Sequence, residues 1–215
     1  MSKIKRELKQ FRKFYYNYDF SKASLVDKDG TLYFGDEVVQ DADGKVHGEG
    51  EHFINVGYNS KVSLAKILSN LFPYEFTFRG RKVQSIEGVL QGIKFPNKKM
   101  QNLVLDYSRT DACHIKYASD YDWRKTGILY WQGEPMDRFS AFYEDFLLEL
   151  FVSAIQNPLY RQALLNVDRL LIHSIGKEDN EETVLTRYEF EKMLNALVQY
   201  LKMLKKIKKK CNFLD

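Results

Sequence analysis

At 215 residues, 44% of them hydrophobic, the chain is long enough to bury a core and short enough for one domain to be the default. Its net charge of +4 hides an asymmetry, because Lys202, Lys205, Lys206, Lys208, Lys209 and Lys210 crowd the last turns and leave the rest near neutral. Cys113 and Cys211, far apart and without ligand spacing, argue against a disulfide framework or a zinc site, and the charged start and the lack of any run of roughly eighteen apolar residues argue against a signal peptide or a membrane span. A cytoplasmic protein with no membrane partner is expected, and nothing in the sequence specifies an oligomeric state.

Taken in order, Lys3 to Tyr18 predicts a short basic helix docked through Phe11, Phe14, Tyr15 and Tyr16. From Ser24 to Tyr58 the pattern changes. Asp29-Gly30 and Asp43-Gly44 separate short runs, Thr31 to Phe34 and His52 to Val56, as hairpin turns would in a small antiparallel sheet. The Asp41-Ala42-Asp43-Gly44 stretch lacks the further carboxylates of a calcium loop, so it is read as a turn and no metal is assigned. Val62 to Leu71 predicts a helix ending before Pro73. Glu75 to Val83 predicts a hairpin turning at Arg79-Gly80, with Ser85 placed as the N-cap of the next helix.

Lys98 to Tyr117 is read as helical, and Asp120 to Arg138, with Trp123, Trp131, Gly127, Gly133 and Pro135, as an aromatic loop of the kind that lines pockets. Two helices follow, Arg138 to Gln156 and Leu159 to Asn166, broken at Asn157-Pro158; then a strand at Arg169 to Ile175. A last helix runs from about Thr186 to about residue 210, with a core stripe of Phe190, Leu194, Leu197, Leu201 and Leu204. The chain is therefore expected to be α+β, a mainly α-helical single domain with small antiparallel β hairpins, an N-terminal helix and β insertion over about 1–60, and a basic C-terminal helix.

The segment Ser85 to Phe95 carries the chemistry. With about 100° of rotation per residue, Gln91 falls about 40° from Glu87 and Lys94 about 20° on its other side, so the three share a face, while Ile86, Val89, Leu90 and Ile93 share another. Gly88 and Gly92 each cost a helix interior about 1 kcal/mol relative to alanine, which a solvated surface does not require. They fit close approach by another backbone or by a flat ligand. An ordinary exposed polar face would use the same residue types.

Across Leu68-Ser69-Asn70-Leu71-Phe72-Pro73, Phe76 to Gly80 and Ser85 to Phe95, the chain resembles the NADAR or YbiA-like family, with its Ser-Asn turn, β-hairpin and helix of form E-x-x-x-Q-x-x-K-F, here Glu87, Gln91, Lys94 and Phe95. Gln156-Asn157-Pro158 and Leu164-Leu165 resemble a second family patch. The resemblance spans about Ile54 to Leu194. The chain departs from it where Asp137-Arg138 stands in place of an Asp-Trp pair, and where 176–186 lacks the family's Trp-Gly and Asn-x-Leu-Gly signatures.

The resemblance implies hydrolysis of a ribose-to-nitrogen bond, in ADP-ribose attached to guanine or in small ribosyl-aminopyrimidine phosphates of riboflavin synthesis, with no cofactor. A nucleotide-binding module without turnover is the alternative from another class. Glu87 is then the catalytic carboxylate, suited to an oxocarbenium-like ribose. Lys94, or less favourably Lys61, is the amine that captures the anomeric carbon, or else a salt-bridged structural lysine. Asn70, Arg79 and Gln91 are expected to hold ribose or phosphate, although Asn70 also suits a turn and Arg79 a surface hairpin; Trp131 or Trp123 is expected to supply an aromatic contact. His114 and His173 are assigned structural roles. The lysine tail offers nucleic acid a sequence-independent attraction, or simply complements the helix dipole.

Overall fold

The computed structural model describes residues 3–20, 24–26, 32–34, 53–107, 121–173 and 181–211. In chain order these form α1 (Lys3–Tyr16), β1 (Ser24–Val26), β2 (Leu32–Phe34), β3 (Phe53–Asn55), α2 (Ser63–Ile67), β4 (Phe76–Phe78), β5 (Arg81–Val83), α3 (Ile86–Gly92) and α4 (Lys98–Leu105). There follow α5 (Trp123–Thr126), β6 (Ile128–Trp131), β7 (Glu134–Asp137), α6 (Ala141–Ala154), α7 (Pro158–Leu165), β8 (Leu170–Ile172) and α8 (Arg187–Cys211). The class is α+β, mainly helical with small antiparallel hairpins. No described helix is long and apolar enough to cross a membrane.

Helix α6 is the axis of the core because it is apolar on nearly every side: Tyr143, Phe146, Leu148, Leu150, Phe151, Val152 and Ala154 are all buried. Ser140 starts it by accepting the Tyr143 amide at 3.2 Å, and Asn157 then starts α7, accepting the Leu159 and Tyr160 amides just ahead of a helix whose first residue is Pro158. Around α6 stand α1, the β4–β5 hairpin and α8, whose stripe of Phe190, Leu194, Leu197 and Leu201 is buried with Leu204 at its margin. Helix α1 docks through Phe11 and Tyr15 with Phe14 half-buried; Tyr16, expected in the core, is 52% exposed and turns its hydroxyl to Glu144 at 3.2 Å.

Several expectations need correction. The run around His52 to Val56 does not join a local hairpin: β3 pairs in parallel with β8, Phe53 beside Leu170 and Asn55 beside Ile172. Phe53, Ile54 and all three residues of β8 are apolar and buried, which suits a parallel pair, with Asn55 half-buried at the end of β3. The side chain of Asn195 on α8 closes the free edge of β8, accepting the Leu171 amide at 3.0 Å and donating to its carbonyl at 2.8 Å. The predicted helix from Val62 to Leu71 ends at Ile67, because Ser69 folds the chain into a turn by accepting the Leu71 amide at 3.3 Å.

The predicted aromatic loop is instead α5 and the β6–β7 hairpin. That hairpin turns at Gln132-Gly133 with φ of 52° and 86°, the backbone that a two-residue hairpin turn demands. Trp123 is core, at 2% exposure. Helix α4 covers Lys98–Leu105; the remainder of that predicted helix, like the Asp41 to Gly44 turn, His114 and Cys113, lies outside the described residues or at their edge.

Two local arrangements position the site. Ser85 caps α3 by accepting the Gly88 amide at 3.0 Å, as its place in the sequence predicts. The close neighbour of Gly88 is another backbone, for a Cβ there would stand 3.0 Å from the Tyr107 carbonyl and 3.4 Å from that of Val104, whereas one on Gly92 would stand 3.3 Å from the Leu105 side chain. Helix α3 therefore lies tight against α4 and turns its polar row the other way.

Candidate functional site

Glu87, Gln91 and Lys94 form one hydrogen-bonded row. The Lys94 ammonium donates to the Gln91 amide oxygen at 2.8 Å, and the Gln91 amide nitrogen donates to the Glu87 carboxylate at 2.6 Å. Gln91 is thus a spacer that fixes a carboxylate and an amine at opposite ends of itself, and its burial, at 8% exposure, holds it in that register. The row is one wall of a cleft of about 170 Å³ that is also lined by Asn70, His173, Phe190 and the segment Thr183 to Arg187.

Asn70 sits opposite because the turn after α2 is tied to the start of α3: the Glu87 amide donates to the Asn70 carbonyl at 2.9 Å. The side-chain oxygen of Asn70 is buried and has no hydrogen-bond partner among the described residues. A buried acceptor left in that state costs about 1–3 kcal/mol, so it is a place where a hydroxyl donor is welcome.

His173, expected to be structural, also faces the cleft. It follows β8 directly, and its Nδ1 lies 2.7 Å from the Val56 carbonyl beyond the paired end of β3. A carbonyl only accepts, so Nδ1 carries the proton and Nε2 presents a lone pair in the neutral ring. Burial is the main cause holding the imidazole pKa below its ordinary 6.5, with Arg187 acting in the same direction and the Val56 contact and Glu87 opposing it. His173 also lines a neighbouring hollow of about 750 Å³ with Tyr58, Lys61 and Arg169, so the two spaces meet at the imidazole.

The sign of the His173 effect is fixed. The unfolded chain binds the proton more readily than the folded one, so stability is unaffected above about pH 7 and falls as the pH drops through 6.5. Urea midpoints measured from pH 7.5 to 5.5 should therefore decline more steeply for wild type than for His173→Gln, whereas parallel curves would mean that the imidazole is not buried neutral.

The wall formed by Thr183 to Arg187 is anchored by a residue marked in the sequence only as a departure from a family pattern. Arg138, 3% exposed, donates from Nε to the Thr183 carbonyl at 3.0 Å and from Nη2 to Glu189 at 2.7 Å, and stacks 4.9 Å from the Tyr143 ring. Tyr143 donates its hydroxyl to the Val184 carbonyl. Glu189 in turn completes a capping box with Thr186: its carboxylate accepts the Thr186 amide at 2.7 Å while the Thr186 hydroxyl accepts the Glu189 amide at 3.0 Å. Thr186 and Glu189, three apart ahead of an apolar stripe, are a visible signal for this cap; the tie to Arg138 has no local signal.

Arg79 and Trp131 are not brought into this cleft. Arg79 is drawn to Glu149, 2.8 Å away, and lies over the Phe146 ring at 4.7 Å, while Trp131 packs edge-on against Phe78 at 4.9 Å and Phe146 at 5.7 Å. Both line a separate depression with Gly80, Arg81, Lys82, Asp106 and Gln132. Lys61 faces the larger hollow and not the row. Among the described residues no three His, Cys, Asp or Glu side chains converge as a metal site would require.

The profile of the family described as bacteriophage protein GP30.3 matches residues 63–199, more than half of the chain. An NMR structure of the E. coli protein YbiA aligns with a TM-score of 0.44 at 17% identity, covering 80% of this chain and 89% of that one, a likeness too distant to bear on activity. No curated protein matches the chain.

Proposed function

The chain belongs to the bacteriophage protein GP30.3 family, and from that footing we propose that the cleft is the active site of an N-glycosidase that hydrolyses a ribose-to-nitrogen bond in an ADP-ribose-type substrate. The observation that supports this reading is the meeting, in one small cleft, of the Glu87–Gln91–Lys94 row with the unpartnered Asn70 oxygen and the imidazole of His173. The reaction class comes from the sequence resemblance to the NADAR family.

The roles follow from the chemistry of the bond. As C1–N breaks, its electron pair leaves with the base and positive charge develops on the ribose, beside which the Glu87 carboxylate is stabilising. Asn70 accepts a sugar hydroxyl through its side-chain oxygen. In direct hydrolysis a water oxygen bonds to C1 and its proton passes to Glu87 or to Nε2 of His173. In the covalent route Lys94 first gives up a proton, and its amine bonds to C1 as the C1–N bond breaks and the base leaves with the electron pair and takes up a proton. The C1–O ring bond then opens to give the Schiff base, and water adds to C1 to release the sugar and the amine. Gln91 keeps amine and carboxylate apart so that both address one sugar.

The size of the cleft favours a second reading. At about 170 Å³ it lies below the roughly 300–1,000 Å³ that enclose drug-sized ligands. Either the sugar end of a larger nucleotide enters while the rest lies in the adjoining hollow, or the substrate is a small ribosyl-aminopyrimidine phosphate.

The deciding experiment incubates the protein with DNA bearing ADP-ribose on guanine and, separately, with the small ribosyl phosphate, quenching with borohydride. Release of ADP-ribose, with a trapped adduct lost in Lys94→Ala, is expected; release of base only from the small compound selects the second reading. Tight binding of either compound with no product would instead make the protein a binding module.

A further inference from the structure

The two most basic stretches of the chain meet at one end of the molecule. Helix α1 carries Lys3, Lys5, Arg6, Lys9, Arg12 and Lys13 against one carboxylate, Glu7, which is buried and held by Arg161 at 3.0 Å. Lys3, Lys5, Arg6 and Lys9 are exposed. On α8 no acidic residue follows Glu191, and Lys205, Lys206, Lys208 and Lys209 are exposed, with no ion pair to a carboxylate among the described residues.

Ring contacts fix how the helices lie. The Lys192 ammonium sits 4.7 Å from the Tyr15 ring, whereas Tyr200 touches Phe11 at 5.3 Å and Phe14 at 5.7 Å and reaches Gln10 with its hydroxyl at 3.3 Å. Helix α1 therefore runs antiparallel to α8. Past the Tyr200 contact, the first turns of α1 and the last turns of α8 continue toward the same end, and their cations form one surface.

We propose that this two-helix end binds the phosphate backbone of nucleic acid. Flexible lysines on two helices suit a line of phosphates and do not read bases, which predicts binding without sequence preference. An anionic membrane is the less fitting polyanion: among the described side chains of these last turns the exposed apolar residues are Met203 and Ile207, set among lysines, and an interfacial helix needs a continuous apolar face.

The same helix also joins this surface to the cleft. Arg187 lines the cleft at the start of α8, and at 1.5 Å per residue Lys209 lies about 33 Å further along, close to one turn of a duplex at about 34 Å. A duplex held by the lysines could then present a modified base to the cleft about ten base pairs away. That spacing rests on the glycosidase reading, whereas the surface itself does not.

The test is anisotropy of a labelled duplex of about 30 base pairs titrated with the full chain between about 50 and 200 mM salt, where affinity should fall roughly 10²–10³-fold if four to six phosphates are neutralised. Two variants, Lys205→Gln/Lys206→Gln/Lys208→Gln/Lys209→Gln and Lys3→Gln/Arg6→Gln/Lys9→Gln, alter exposed positions only, and circular dichroism should be unchanged. Each should weaken binding at least about tenfold and flatten the salt slope by about one for every phosphate no longer neutralised. No binding by wild type at low salt, an α1 variant that behaves as wild type, or tighter binding to phosphatidylserine vesicles than to DNA would each overturn the proposal. Turnover does not enter the readout, so an inactive cleft leaves the outcome intact.

Discussion

Replacing Glu87 with Gln yields a folded protein whose turnover is lowered by roughly 10²–10⁴, the range expected when a positioned carboxylate loses its charge at the reacting bond. The substitution is nearly isosteric. The backbone tie from Glu87 to the Asn70 carbonyl persists, and the new amide can still present an oxygen to the Gln91 nitrogen now 2.6 Å from the carboxylate. What is lost is the negative charge facing the developing ribosyl cation. Steady-state rates on the substrate cleaved by wild type, set beside far-UV circular dichroism and a thermal melt, check the result. An unchanged rate would mean that another group carries the charge.

Glu189→Ala lowers stability by about 3 kcal/mol, read from urea unfolding. Two losses combine: the helix cap, about 1 kcal/mol, and the charge partner of a guanidinium that is 3% exposed and cannot reach water without repacking. Glu189 is 28% exposed at its side chain, which places the total at the low end for a broken buried pair. Glu189→Gln keeps an acceptor for the Thr186 amide and should lose an intermediate amount. A loss near 1 kcal/mol for the alanine variant would show that the ion pair adds nothing beyond the cap.

These two sites mark what is legible in the chain and what is not. Ser85, the Arg79-Gly80 turn, Asn157-Pro158 and the polar row of α3 are local features, each fixed by residues within about one or two helical turns of one another, and the structure has them as the sequence predicts. The β3–β8 pair escapes a local reading because its two strands lie over a hundred residues apart, while an apolar run of that length looks the same in a hairpin or a parallel pair. Arg79 and Trp131 show a different limit: a cation and an indole near a turn suit a ligand pocket and a stacked, ion-paired surface equally well, and only the positions of Glu149 and Phe146 separate the two. His173 and Arg138 cannot be placed from sequence, since what makes each matter is a carbonyl more than forty positions away.

The double use of the Glu189 carboxylate has a consequence for motion. One group holds both the first turn of α8 and the side chain that pins Thr183, so the stretch from Thr183 to Glu189 cannot swing aside without fraying the helix and stranding a guanidinium in the core. Its amide protons should exchange with solvent as one cooperative unit and no faster than the first turn of α8 itself. That side of the cleft behaves as a door jamb, and ligands pass it without moving it.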